Sequence, residues 1–479
     1  TPPEGEDGFT GAFNRSQIEA IARRHAICPF EFSLDLAQWV DCVICDYNYA
    51  FDPRVYLRRF FDHSTDPYLF LVDEVHNLPD RARAMFSAEL NKQTVLDLRT
   101  ALKSHLPDLS DTLTPINQAL LDKRKLCEAN EETTLVEYGR PDPLLQAIRT
   151  FTYQAELWLA QNQPAPFRTE LLDFYFQCNA YLRTADDFDT FYVSYFERLG
   201  KNDLKAKLYC LDPAPLLTNA LARSQSTIFF SATLMPMDYF EQLLTGTTDN
   251  PKLMLPSPFP DENVSLLIQN RISTKYANRA DSYAPIAETI ATVCSSQPGN
   301  YLIFFPSYAY LTEVLERFQL MMPQATLLVQ DRGMDEAARE DFLAQFSQST
   351  DGMLIGFAVM GGIFGEGIDL VGKQLIGAII VGVGLPQIGL EPDLIKAYFN
   401  QQNQRGFEYA YQYPGFNRVL QAAGRVIRTE TDRGVIILID ERFTQYRYKR
   451  AFPKSWQTFQ AVQNNKDIQE LLSDFWSTQ

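Results

Sequence analysis

Residues Leu69–Asn77 read LFLVDEVHN, an apolar run that ends in two adjacent carboxylates and, two residues on, a histidine. A short continuous apolar run of this kind reads as a strand buried on both faces, as in parallel sheets covered by helices on both sides. In open α/β sheets, function gathers in the crevice outside the carboxyl ends of such strands. Two carboxylates delivered there suit a magnesium-bound triphosphate: Asp73 would hold the metal and Glu74 would polarise the attacking water. His76 would link that site to the rest of the molecule. A solvated acidic strand end would carry the same letters, so the weight falls on whether other segments agree.

Three more segments come in order. Ser226–Leu234 reads STIFFSATL, a strand running into Ser231 and Thr233. Their small hydroxyls suit hydrogen bonds to the Asp73/Glu74 loop and would couple its state to the rest of the chain. An ordinary strand-to-helix cap fits them too. GEGIDL (Gly365, Glu366, Gly367, Asp369, Leu370) follows the strand-like MLIGFAV and a Gly361-Gly362 turn. Glycines there permit positive φ and close backbone approach to a phosphate or sugar, with Glu366 and Asp369 as candidate contacts. A flexible glycine loop is the plainer alternative.

Gln421–Arg428 reads QAAGRVIR and precedes another buried strand. A helix over Asn417–Ile427 would set Arg418, Gln421, Arg425 and Arg428 at three- and four-residue steps on one face. Gly424 falls inside that helix. Guanidiniums facing a cleft stabilise charge on a transferring phosphoryl group, an effect worth roughly 10³–10⁵ in rate. Arg425 and Arg428 are therefore the candidate arginine fingers, and Arg418 suits a solvated face.

The set DEVHN, SATL, GEGIDL and QAAGRVIR resembles the superfamily 2 helicases of the XPD/DinG type. HAICPFEFSLDLAQWVDCVICDYNYAFDP (His25–Pro53) is similar to the region of those enzymes that leaves the iron–sulfur domain and re-enters the first motor domain. LYCLDPAPLL (Leu208–Leu217) is similar to the point where an inserted domain rejoins the motor. The resemblance implies an α/β fold of two RecA-like, doubly wound parallel-sheet motor domains with an inserted helical arch. It also implies ATP and Mg²⁺ as cofactors, a DEAH-box motor, 5′→3′ unwinding of single-stranded or forked DNA, and a role in DNA repair. By the same resemblance Asp73, His76, Gly365, Glu366, Gly367, Asp369, Gln421 and Gly424 would line the nucleotide site. Cys28 would be one of four ligands to a [4Fe–4S] cluster.

One departure matters. No G-x-x-x-x-G-K-[ST] occurs; the Gly-Lys pairs, Gly200-Lys201 and Gly372-Lys373, are followed by Asn and Gln. Such a loop supplies amide donors, a lysine for the β/γ-phosphates and a hydroxyl for Mg²⁺. In the family it lies upstream of the cluster domain, so the expectation is an N-terminally truncated chain, inactive by itself, with sheet edges left unpaired. A partner-completed or non-catalytic nucleic-acid-binding scaffold, or the helicase part of a nuclease-coupled enzyme, are the alternatives.

The seven cysteines are scattered and odd in number, which argues against a disulfide framework and for a reducing compartment such as a bacterial cytosol or nucleoid. Cys42 and Cys45 sit in VDCVICDYNY, which reads as a buried strand with structural thiols. A cluster needs four thiolates, so this chain alone is not expected to assemble one. No zinc spacing involves the four histidines.

A net charge of −17 argues against a broad DNA-coating surface and leaves room for a narrow basic strand path. No apolar run approaches the roughly 18 residues a membrane span needs. The motifs suggest residues 1–35 as the tail of the cluster domain, 36–79 and 206–245 as the first motor, 80–205 as the arch, and 246–479 as the second motor. A helix is expected at Arg15–His25, and strands at Val40–Cys45 and Leu69–Val72. In the second motor strands are expected at Tyr301–Phe305, Thr326–Val329, Met353–Phe357, Leu375–Val381 and Val435–Ile439. The arch reads as helical, including the aromatic stretch that ends FYVSYFERL. Asn48, at the close of the Val40–Cys45 strand, and Ser307, after the Tyr301–Phe305 strand, are candidate contacts to a DNA strand; Ser307 suits a helix cap equally well.

Overall fold

Thirteen strands form three sheets in the computed structural model, which describes residues 13–62, 67–200, 202–348, 352–362, 364 and 370–477. They are β1 (Leu69–Val72), β2 (Ala88–Asn91), β3 (Thr134–Glu137), β4 (Tyr192–Leu199), β5 (Asp203–Cys210), β6 (Ser226–Phe229) and β7 (Val264–Gln269). Then come β8 (Asn300–Phe305), β9 (Thr326–Val329), β10 (Leu354–Val359), β11 (Gly377–Val381), β12 (Gly434–Ile439) and β13 (Gln460–Val462).

The largest sheet runs β13-β7-β12-β11-β8-β10-β9 with every pair parallel. Parallel neighbours need long crossovers, and helices supply them on both faces. Alternate residues of β8 therefore enter different cores. Leu302 and Phe304 pack with Phe342, Phe346, Phe416 and Val419. Tyr301, Ile303 and Phe305 pack on the other side with Ile290, Val314 and Phe318. All five strands expected in this region are present, and β7 and β13 extend the sheet beyond them.

Residues 80–205 depart from the helical expectation. Four long helices are there, but they pack on an antiparallel sheet ordered β2-β5-β4-β3. The FYVSYFERL stretch is largely β4, paired with β5 from Tyr192↔Cys210 to Leu199↔Asp203 around Gly200, whose φ is +69°. A period-two signal was present in DLKAKLYC: Leu204, Ala206 and Leu208 are buried in one core, while Lys205 and Lys207 alternate with them.

The remaining sheet is the pair β1–β6, parallel in register Leu69↔Ser226 to Val72↔Phe229. Val40–Cys45 is not a strand: it is irregular and exposed, Ile44 at 97%. Apolar, β-branched character favours a strand only where a neighbour offers a ladder, and among the described residues β1 pairs with β6 alone. Cys42 and Cys45 are consequently exposed thiols rather than buried ones. The Arg15–His25 helix forms as expected, opened by a capping box between Asn14 and Gln17.

Candidate active site

The site begins where β1 ends. After Val72 the chain passes through Asp73 into Glu74, which holds φ 47° and ψ 36°, then a 3₁₀ turn over Val75–Asn77 and the helix Leu78–Met85. A left-handed glutamate is uncommon and needs support from its surroundings. Tyr47 gives that support: its hydroxyl lies 2.5 Å from the carbonyl oxygen of Asp73 and 2.8 Å from that of Glu74. Burial, then the carboxylates of Glu74, Asp73 and Asp46, push the Tyr47 phenol up to about 12, so it remains a donor at physiological pH. The Val75 amide donates to the Phe230 carbonyl and the Glu74 amide to Asp73 Oδ1. Both carboxylates end exposed at the sheet's carboxyl edge.

His76 is the opposite case, buried with contacts on both ring nitrogens. Nδ1 lies 2.7 Å from Ser231 Oγ, and Nε2 lies 2.5 Å from the side-chain nitrogen of Gln421. The Gln421 side-chain nitrogen is a donor only, so it faces Nε2 as the acceptor, while Nδ1 faces Ser231. Glu74 Oε2 stands 3.3 Å from the same Nδ1, and Ser231 Oγ also accepts the Thr233 amide at 3.2 Å. Residues from three motifs, spread over 345 positions, thus meet on one imidazole.

The glycine turn is the next wall. Gly361 has φ +71°, and a Cβ there would lie 3.1 Å from both Cδ and Nε of Arg418. Arg418, expected on a solvated face, instead lies half-buried across this turn. Gln330 braces it from beneath: its side-chain oxygen accepts the Val359 amide at 2.8 Å. Gly365, Glu366, Gly367 and Asp369 lie outside the described residues.

The arginine helix is shorter than expected. It spans Tyr413–Ala423 with Gly424 as its C-cap, so Arg425 and Arg428 do not continue the stripe of Arg418 and Gln421. The cause is local. Glycine weakens the helix, the Arg425 and Val426 amides turn back to Ala422 and Ala423, and Val426 is buried against Gly434. A Cβ on Gly434 would sit 2.3 Å from Val426 Cγ1, so only glycine admits that packing. Buried Asp432 then holds the loop, accepting the Arg428 and Thr429 amides at 2.7 and 2.8 Å and the Gly372 amide at 3.1 Å. Burial raises the Asp432 carboxyl, but these bonds and the Thr429 hydroxyl outweigh it and hold it below its ordinary value.

The outlying candidates are less gathered. Asn48 opens a short helix, Asn48–Phe51, rather than closing a strand, and is exposed. Ser307 caps the helix Tyr308–Met321, accepting the Tyr310 amide at 3.3 Å. Cys28 is an exposed thiol at the N-cap of Pro29–Ala37. Tyr47 and Arg418 are the residues whose roles the motifs did not reveal, since neither role follows from local spacing. As a donor set, Asp73 and Glu74 suit a hard cation that takes one or two carboxylates plus phosphate oxygens.

Comparison with known proteins finds two family models in the chain: "DEAD_2" over residues 4–95 and "Helicase C-terminal domain" over residues 290–459. The ATP-dependent DNA helicase YoaA of Escherichia coli is 25% identical over 80% of this chain and 61% of its own. The Fanconi anemia group J protein homolog of Gallus gallus is 21% identical over 96% of this chain and 44% of its own. The regulator of telomere elongation helicase 1 homolog of Anopheles gambiae is 21% identical over 90% and 52%. The chain thus spans about half of the length of the curated relatives it matches. In fold it is similar to S. tokodaii Xpd4, with a TM-score of 0.60 at 14% identity, covering 94% of this chain and 89% of that one. A second XPD helicase structure gives 0.57 at 17% identity, covering 94% and 77%.

Proposed function

Because this chain belongs to the XPD/DinG-type branch of the superfamily 2 helicases, we propose that it forms the motor of an ATP-dependent DNA helicase. The observation that carries this reading is His76, hydrogen-bonded at once to the SAT serine and to the glutamine of QAAGRVIR. An isolated acidic strand end has no reason to bury a histidine between two distant polar partners. A sensor that must report the state of Glu74 across a cleft does.

In this reading Asp73 would hold the Mg²⁺ of bound ATP, and the metal would supply charge neutralisation on the phosphates. Glu74 orients and polarises the attacking water. Tyr47 fixes the backbone that aims both carboxylates. His76 carries the state of that loop to Ser231 and, through Gln421, to the segment bearing Arg425 and Arg428. Those guanidiniums offset charge on the departing phosphoryl group from the second sheet's side. By the family resemblance, Gly365, Glu366, Gly367 and Asp369 would contribute to the nucleotide site. Repeated closure and release would move a single strand past Asn48 and Ser307, in the 5′→3′ sense of the family. By the family resemblance, Cys28 would donate one thiolate to a [4Fe–4S] cluster.

With no glycine–lysine phosphate loop in its sequence, the chain alone is expected to hydrolyse ATP at background rate. The test is DNA-stimulated ATP hydrolysis by a form carrying such a loop ahead of Thr1, with and without Glu74→Gln. Stimulated turnover that the substitution abolishes supports the reading. Turnover that survives Glu74→Gln removes Glu74 from catalysis. If the extended form has no turnover at all, a non-catalytic, DNA-binding role takes its place.

A further inference from the structure

A helical hairpin, Leu390 to Ala423, belongs to two cores at once. Its first arm, Leu390–Asn403, buries Leu394, Ile395 and Phe399 among Val72, Leu78, Tyr192 and Tyr209, where β1 and the antiparallel sheet meet. Its second arm begins with a π turn, Glu408–Gln412, that runs unbroken into Tyr413–Ala423. Tyr409 and Tyr411 stay in that same core, and Phe416, Val419 and Leu420 pass into the core of the seven-stranded sheet.

The hairpin is internally locked. Gly406 approaches the first arm so closely that a Cβ would sit 1.9 Å from the Lys396 carbonyl oxygen, and its amide donates to Asn400 Oδ1 at 2.9 Å. Tyr411 donates to Asp393 at 2.9 Å, and Phe399 stacks on Tyr409 with centroids 4.4 Å apart. The second arm is held to the large sheet where Gly384, at φ +68°, meets Gly415: a Cβ on Gly384 would lie 2.3 Å from the Gly415 carbonyl oxygen. Packed elements of this kind shift as units rather than bend.

Each arm carries polar contacts at a boundary. Gln421, near the end of the second arm, meets His76. Glu391, in the first turn of the first arm, accepts Tyr195 Oη at 2.8 Å and Lys207 Nζ at 2.6 Å, both from the antiparallel sheet. A groove of about 550 Å³, lined by Arg83, Lys207, Tyr209 and Glu391, opens beside this second contact. The Lys207–Glu391 pair can therefore part into open space without breaking an apolar core.

We propose that the hairpin is a transmission lever between the His76–Gln421 contact and the antiparallel sheet, with Glu391 as the positioning residue at its far end. The inference rests on the helicase reading only for what the lever reports; the coupling itself needs neither ATP nor DNA. Hydrogen exchange on the unliganded chain tests it, with Glu391→Gln, Lys207→Glu, Glu391→Lys and the double reversal compared. Each single substitution should speed exchange in β4 and β5 and also at residues 75–78 and 420–424, by about fivefold, the low end of ordinary intersite coupling. Because Glu89 Oε2 also lies 3.7 Å from Lys207 Nζ, the double reversal is made together with Glu89→Gln; it then restores an ion pair of opposite sense and should return both regions toward the rates of Glu89→Gln alone. Changes confined to β4, β5 and the first arm would overturn the lever. So would a double reversal that restores the local rates and leaves residues 75–78 fast. Lys207→Glu leaves the hairpin's own sequence intact, so it decides the question even if Glu391→Gln unfolds the first turn. Failure of ATP hydrolysis in the extended form leaves this outcome untouched.

Discussion

The two parallel sheets end in comparable motifs but are held in opposite ways. In the seven-stranded sheet the central strands β8, β11 and β12 are buried along their whole length. In the pair β1–β6, Leu69 and Leu71 are 67% and 70% exposed, Ile228 is 58% exposed, and only Val72 is fully enclosed. A parallel sheet is stable when both faces are covered. The large sheet supplies that cover from its own crossover helices. The small one borrows one face from the antiparallel sheet and the Leu390–Ala423 hairpin. The geometry of the candidate site in the small sheet thus rests on polar pinning, by Tyr47 and His76, more than on strand burial.

Five substitutions, at four positions, can break or sharpen that contrast. Phe304→Ala, in the large sheet, should cost about 3–5 kcal/mol in denaturant unfolding, because it opens a cavity between closed layers. A loss below 1 kcal/mol would mean that this core is not close-packed. Asp432→Ala should cost about 1–3 kcal/mol and loosen the Arg428 segment, since it strands buried amide donors.

That aspartate also sets a pH test. Its folded value is depressed, so its stabilisation is full above the unfolded value of about 3.9 and is lost as pH falls through the lower folded value. Asp432→Asn should flatten the acid limb of the unfolding curve in that window; an unchanged limb refutes the assignment. Tyr47→Phe should cost about 0.5–1.5 kcal/mol globally, with faster amide exchange concentrated at residues 73–77. Uniformly faster exchange would show that Tyr47 is ordinary core. Leu71→Ala should fall within about 0.5 kcal/mol, as exposed sites do. A loss as large as that of Phe304→Ala would end the contrast between the sheets.

Much was legible in the residues alone. The continuous apolar runs YLIFF, MLIGFAV and GVIILI could be little else than buried parallel strands, and each motif's place at a strand end followed from them. The placing of Asp73 and Glu74 at the carboxyl end of β1 was legible for the same reason: it depends on neighbours in sequence. Local pattern misled where pairing or packing decides. Val40–Cys45 has strand composition and no partner among the described residues, while the Tyr, Val and Phe of β4 suit a strand that the helical reading of its long aromatic stretch overlooked, and an antiparallel neighbour completes it. The arginine helix stops at Ala423 because Val426 packs beneath Gly434.

The sequence by itself determined the α/β class, the order of the motifs and the residues proposed for phosphoryl chemistry, because strand burial and residue type are written in short windows. Only the tertiary structure decided that His76 stands between Ser231 and Gln421, that Tyr47 pins the carboxylate turn, and that Arg418 covers Gly361. Those meetings join residues up to 345 positions apart, and hydrogen bonds form only within about 3 Å, a distance that chain folding sets and spacing in sequence does not.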